Sequence, residues 1–179
     1  MAFDSEQVGI LRGSALSVAF AFATVGAGYA WLAAGWFGLT NAMTMADQID
    51  FTLKAELLLF AWPVVRPRSQ QTHFRSAVDR NGLAFGRPSE AIAIPAAVLQ
   101  NSLEQTALAF GAHLVLTTVL RGPELVMITL LVALYIFGRV TSSRDHAQGA
   151  AQRSFGMALT AAPTVASCLL AAGLMITGW

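Results

Sequence analysis

Apolar residues fall in long unbroken stretches along this chain. They do not alternate as in half-buried strands, nor form the narrow stripe of a soluble amphipathic helix. Ser14 to Leu39 runs 26 residues without a charge. As a helix it would be about 39 Å long, more than the roughly 30 Å hydrocarbon core of a bilayer. Ile49 to Val65 is a second stretch, interrupted in its first half by Asp50, Lys54 and Glu56. Ser89 to Leu120 holds two charges, Glu90 and Glu104. Ser89 suits a helix start, and Pro95 a kink. Pro123 to Val140 and Ser154 to Trp179 complete the set, the last without a charge and with Pro163 inside it. These stretches are too long for barrel strands of about 9–11 residues, and only helices and closed barrels span lipid. The pattern predicts an all-α integral membrane helical bundle with five transmembrane helices.

The polar stretches set an orientation. Residues 66–88 carry Arg66, Arg68, Arg75, Arg80 and Arg87 with a turn signal at Asn81-Gly82, and residues 141–153 form a second polar connection. Five spans put the N-terminus and both of these loops on one side. That side collects Arg12, the five loop arginines, Arg139, Arg144 and Arg153, against Arg121 and Lys54 opposite. The positive-inside rule then makes the N-terminus and the basic loops cytoplasmic and puts Trp179 on the other side. The first apolar run is read as a retained helix and not a signal peptide. Asp4 and Glu6 make a poor positive leader, and the run exceeds a typical apolar region of roughly 7–15 residues.

Composition agrees: 55% of residues are hydrophobic and 12% charged, where a soluble domain carries roughly 25% charged residues. Net charge is +1, so no field draws in a nucleic acid. Cys168, in an apolar run, reads as a small packed side chain. His73 and His113 show no ligand spacing, so no metal site is expected. Phosphate-binding and nucleophile-elbow motifs are absent. Without visible repeats or a broken-helix pair, a transporter is the weaker reading.

Few residues are left to carry chemistry. Asn101 and Glu104 are three apart and share a face of the third predicted helix. Glu104 lies near the middle of its run, where an ionisable group is costly and calls for a partner. Either it clasps Arg139 or a backbone group on a neighbouring helix, or it belongs to a binding site. Arg139, His146 and Arg153 are spaced by seven and seven. They either line one aqueous rim, with the arginines binding carboxylates and the histidine moving a proton, or the arginines merely mark helix ends at the headgroups. Glu56 is expected to pair with a polar group on another helix. Gly26, Ala30, Ala34 and Gly38 form a small-residue stripe suited to close helix packing.

The stretch Val98-Leu-Gln-Asn101-Ser-Leu-Glu104-Gln105 resembles the second-helix signature of the MAPEG family, the membrane-associated proteins in eicosanoid and glutathione metabolism. Tyr135-Ile-Phe-Gly138-Arg139-Val140, with Arg153 fourteen residues on, resembles the family's third-helix end and fourth-helix start. The resemblance divides the chain into an extra N-terminal transmembrane helix with its flanks, residues 1–44, and a four-helix domain, residues 45–179. It implies a homotrimer among membrane lipids, with sites at subunit interfaces near the cytosolic face. It also implies glutathione as cofactor and a lipophilic small molecule as substrate, hence a transferase or peroxidase. Asn101, Glu104 and Arg139 would bind the cofactor, and Arg153 would be catalytic by stabilising the thiolate; His146, the proton carrier that the spacing suggests, would be catalytic beside it. Three positions depart from the pattern: Ala97 replaces an arginine, and Ser142 and His146 replace tyrosines. One lost arginine clamp is worth about 1.5–3 kcal/mol. These departures keep open an alternative, a non-catalytic membrane module that binds lipid or serves as accessory subunit of a larger membrane complex.

Overall fold

The structure, a computed structural model, describes residues 3–65, 89–144 and 149–178. Among them are five α-helices and no strand: α1 (Ser5–Trp31), α2 (Met45–Val65), α3 (Glu90–Thr117), α4 (Val126–Arg144) and α5 (Ala150–Thr177). Two short 3-10 turns, Ala34–Phe37 and Gly122–Leu125, precede α2 and α4. The chain is the all-α bundle that its apolar runs predict. The helix at Ser5–Trp31 is the extra N-terminal element.

Local chemistry moves the boundaries. The N-terminal helix begins well before the apolar run at Ser14, because Asp4 and Gln7 form a capping box. The Asp4 carboxylate accepts the Gln7 N–H at 2.7 Å, and the Gln7 side chain accepts the Asp4 N–H at 3.1 Å. Two backbone donors of the first turn are thereby satisfied, and Arg12 falls inside the helix. The helix also stops before Leu39. Leu32 turns extended, and the 3-10 turn closes on Gly38 at φ 70°, a conformation that glycine adopts readily. At α2, the Thr44 N–H and hydroxyl both donate to Asp47, at 2.9 and 2.7 Å. At the second 3-10 turn, the Glu124 carboxylate accepts the Arg121 N–H at 2.7 Å.

Packing centres on α4 and α5. Helix α5 lies against α1, α3 and α4, while α2 packs on α3 and α4. Leu59, Ala109, Leu116, Leu125, Ile128 and Leu131 form the core between them. Large apolar side chains such as Leu57, Leu108, Leu169 and Ile176 point outward, as a bundle solvated by acyl chains requires. Among the described residues, three segments are long and apolar enough to cross a membrane by themselves: Ser5–Trp31, Gly122–Arg144 and Ala150–Thr177. The runs of α2 and α3 fall short of that measure. Asp50, Lys54 and Glu56 dilute the first, and the polar cluster from Gln100 to Thr106 dilutes the second.

The small-residue interface of α1 is not the expected stripe. Gly26 and Gly38 have nothing near where a side chain would start. Helix α1 instead turns Gly9, Gly13, Ser17 and Ala21 inward; Ser17 and Ala21 are buried. A Cβ on Gly13 would lie 2.1 Å from the Ser154 hydroxyl, and one on Gly9 2.9 Å from the Ala151 Cβ. The Ala-rich composition hid which of several fourfold repeats is used. Gly13→Leu is therefore expected to lift α1 from α5 and lower the melting temperature in detergent, whereas Gly26→Leu leaves it unchanged. Equal melting temperatures for the two variants would refute this packing. Cys168, expected to be packed, is exposed on the outer face of α5.

Candidate functional site

Arg139 organises the site. It lies five residues before the end of α4 and is 1% exposed. Its two terminal nitrogens reach α3: Nη1 donates to the Asn101 side-chain oxygen and Nη2 to the Ser102 hydroxyl, each at 2.8 Å. The planar guanidinium suits this two-pronged contact, which a lysine could not reproduce. Its Nε has no hydrogen-bond partner among the described residues. The idea that Arg139 marks a helix end at the headgroups is thereby corrected: α4 runs on to Arg144, and Arg139 is enclosed by helices.

Below Arg139 the polar contacts continue into the bundle. The Ser102 hydroxyl donates to the Val98 carbonyl at 2.7 Å, fixing its lone pairs toward Arg139. Thr106 donates to the Ser102 carbonyl at 2.7 Å and lies 2.6 Å from the Tyr135 hydroxyl. A second set ties α2 to α3. The Glu56 carboxylate is 2.6 Å from His113 Nδ1, and the Thr52 and Thr117 hydroxyls are 2.8 Å apart. Glu56 thus has the interhelical polar partner expected of it.

The proposed ligands do not all converge in one chain. Asn101 meets Arg139, but Glu104 does not. Glu104 lies on the exposed face of α3, and its hydrogen bond is to Gln100 on the same helix at 2.7 Å. The expectation that partners from adjoining helices enclose this carboxylate within the bundle is corrected. Three residues on a helix span about 300°, so Asn101 and Glu104 share an edge without facing the same neighbour. Arg153 sits in the first turns of α5, half-buried. His146 lies outside the described residues. Ala97 is exposed on α3, while Ser142 is buried where α4 meets α5.

Sequence reading missed Ser102, Thr106, His113 and Thr117. Their spacing of four, seven and four was a helical polar stripe within an apolar run, a signal that was present and unused. Among the described residues no three His, Cys, Asp or Glu side chains gather as a metal-binding group.

The sequence model of the MAPEG family matches residues 53–173. The chain belongs to the MAPEG family. No curated protein and no solved structure matches it. The matched segment begins within α2 and ends within α5, so it takes in the Arg139 site. The MAPEG segment leaves α1 outside, as an addition packed along the α5 of the family domain.

Proposed function

We propose that this MAPEG protein is a glutathione-dependent transferase or peroxidase that acts on a lipophilic substrate drawn from the bilayer. The observation that carries this reading is the enclosed Arg139, held by Asn101 and Ser102 and still possessing an unpartnered Nε. A buried guanidinium with a spare donor suits a carboxylate, and glutathione carries two. Asn101 and Arg139 would hold polar parts of the tripeptide. Glu104, exposed on its own chain, would contribute from the surface that meets a second subunit of a homotrimer. Arg153 would stabilise the thiolate, and His146 would take the thiol proton. The chemistry that glutathione supplies is a nucleophilic thiolate. His146 would hold the thiol proton and return it to the product. The site would open on the cytoplasmic face, with the basic loops there and Trp179 opposite.

A second reading has its own support. Helix α1 covers part of α4 and α5, and Ala97 offers no arginine, which favours a lipid-binding or accessory membrane subunit that does no catalysis. One experiment separates the two. Purified protein in detergent, given millimolar glutathione, is expected to show the ultraviolet absorbance of a bound thiolate, and Arg153→Ala is expected to abolish it. If the wild-type protein gives no such absorbance, the glutathione reading falls. Stable co-purification with another membrane protein would then support the accessory role.

A further inference from the structure

Glu56 and His113 lie in a place that the Arg139 site does not use. His113 is twelve residues beyond Asn101 on α3, about 18 Å along the helix axis. Both side chains are all but fully buried, at 1% and 2% exposure, and Glu56 Oε1 is 2.6 Å from His113 Nδ1. Glu56 Oε2 has no hydrogen-bond partner among the described residues. An ionised carboxylate in that condition, beside a neutral ring, leaves a net charge in an apolar interior, which is strongly unfavourable.

Among the described residues, the ion-pair partner of Glu56 is His113. On α2, Lys54 is exposed and paired with Asp50. On α4, Arg139 spends both terminal nitrogens on Asn101 and Ser102, and the Tyr135 hydroxyl is bonded to Thr106. On α3, Glu104 faces outward toward Gln100. Glu124, in the turn before α4, accepts from the Arg121 backbone. Arg153 stands in the first turn of α5, the helix that packs against α3. Within the pair itself, the charge that can compensate the carboxylate is a proton shared with His113.

We propose that Glu56 and His113 bind one proton between them, so that the pair is neutral as a unit and forms a proton-holding site inside the bundle. The geometry is suited to it. The Thr117 hydroxyl bonds both to the His113 carbonyl, at 2.8 Å, and to Thr52, at 2.8 Å, which pins this turn of α3 to α2 and fixes the ring against the carboxylate. A carboxylate on Nδ1 sets the ring's tautomer and leaves Nε2 as the atom through which a proton arrives or departs. The proposal does not depend on glutathione.

The test counts protons at neutral pH in the full chain in detergent micelles. Nitrogen NMR of labelled histidines reads the His113 ring, and infrared absorption reads the carboxyl group. Either a doubly protonated His113 ring beside an ionised Glu56, or a neutral ring with a carboxylic-acid carbonyl band that Glu56→Gln removes, is the expected result. A neutral ring with no such band overturns the proposal. The chain has three histidines, so His73→Asn with His146→Asn isolates the His113 signal should His113 variants fail to fold.

Discussion

Arg139→Ala is expected to cost more than any other single change at the candidate site, in stability and in ligand binding alike. Two hydrogen bonds from a charged donor are lost, to Asn101 and to Ser102. Each such bond contributes about 1.5–3 kcal/mol. The Asn101 carbonyl and the Ser102 hydroxyl also lose the donor that ties α3 to α4. Removing the buried charge itself returns part of this, because a guanidinium in an apolar interior carries a desolvation penalty. The balance is a loss of about 2–4 kcal/mol of stability. Ligand binding should fall further than stability alone explains, since the unpartnered Nε goes as well. One charge-assisted bond corresponds to roughly a ten- to hundredfold weaker glutathione affinity. Arg139→Lys sharpens the test: it retains charge but cannot span both partners. It is expected to keep the fold and lose most of the affinity. Calorimetric titration with glutathione, alongside thermal unfolding in detergent, checks both. If Arg139→Lys binds glutathione as well as wild type does, Arg139 is a structural pin and not a ligand-binding group.

How much of this was legible beforehand varies with the kind of signal. Long apolar runs reported the helices, because only helices and closed barrels satisfy a backbone in lipid and these runs are too long for barrel strands. Their ends were less visible. The Asp4–Gln7 capping box lies in a charged segment that hydropathy sets aside, and the stop at Trp31 depends on backbone that turns extended amid apolar residues. Asn101 and Arg139 were legible as site residues because each is costly in its run. Their direct contact was not, since it depends on how α3 and α4 rotate about their own axes. The same rotation turns Glu104 outward and Ser102 inward, two positions apart. Sequence gives the angular spacing of residues on one helix but not the angle at which a neighbour meets it. Glu56 illustrates the limit well. Its need for a partner was readable from its charge, while the identity of that partner, His113, lies fifty-seven residues away and had to come from three dimensions.

The crossing of α4 and α5 should be among the least forgiving places in the protein. A Cβ on Gly156 would come within 2.4 Å of the Ser142 nitrogen and 2.5 Å of both the Gly138 oxygen and the Thr141 hydroxyl. The first two are backbone atoms in a helix, so no rotamer change relieves the clash. Gly138 stands in the mirror position, with the Gly156 oxygen 2.9 Å from its own would-be Cβ. The helices must therefore separate to admit any side chain at 156. Overpacking in a core ordinarily costs about 1–3 kcal/mol; Gly156→Leu, meeting rigid backbone on the partner helix, is expected to exceed that range. Folded proteins have only about 5–15 kcal/mol in reserve, so a low yield of folded protein is the expected outcome. The consequence for function is geometric. Arg139 follows Gly138, and Arg153 precedes Gly156 by three residues, so the contact that brings the two helices together also sets the separation of the two arginines. Gly156→Ala, where it folds, is expected to weaken the bound-thiolate absorbance more than it lowers the melting temperature. Gly173→Leu, farther along α5 with nothing within 4 Å, is expected to change neither. Should Gly156→Leu fold and melt as Gly173→Leu does, the close crossing, and with it the placement of Arg139 and Arg153 described above, would be wrong.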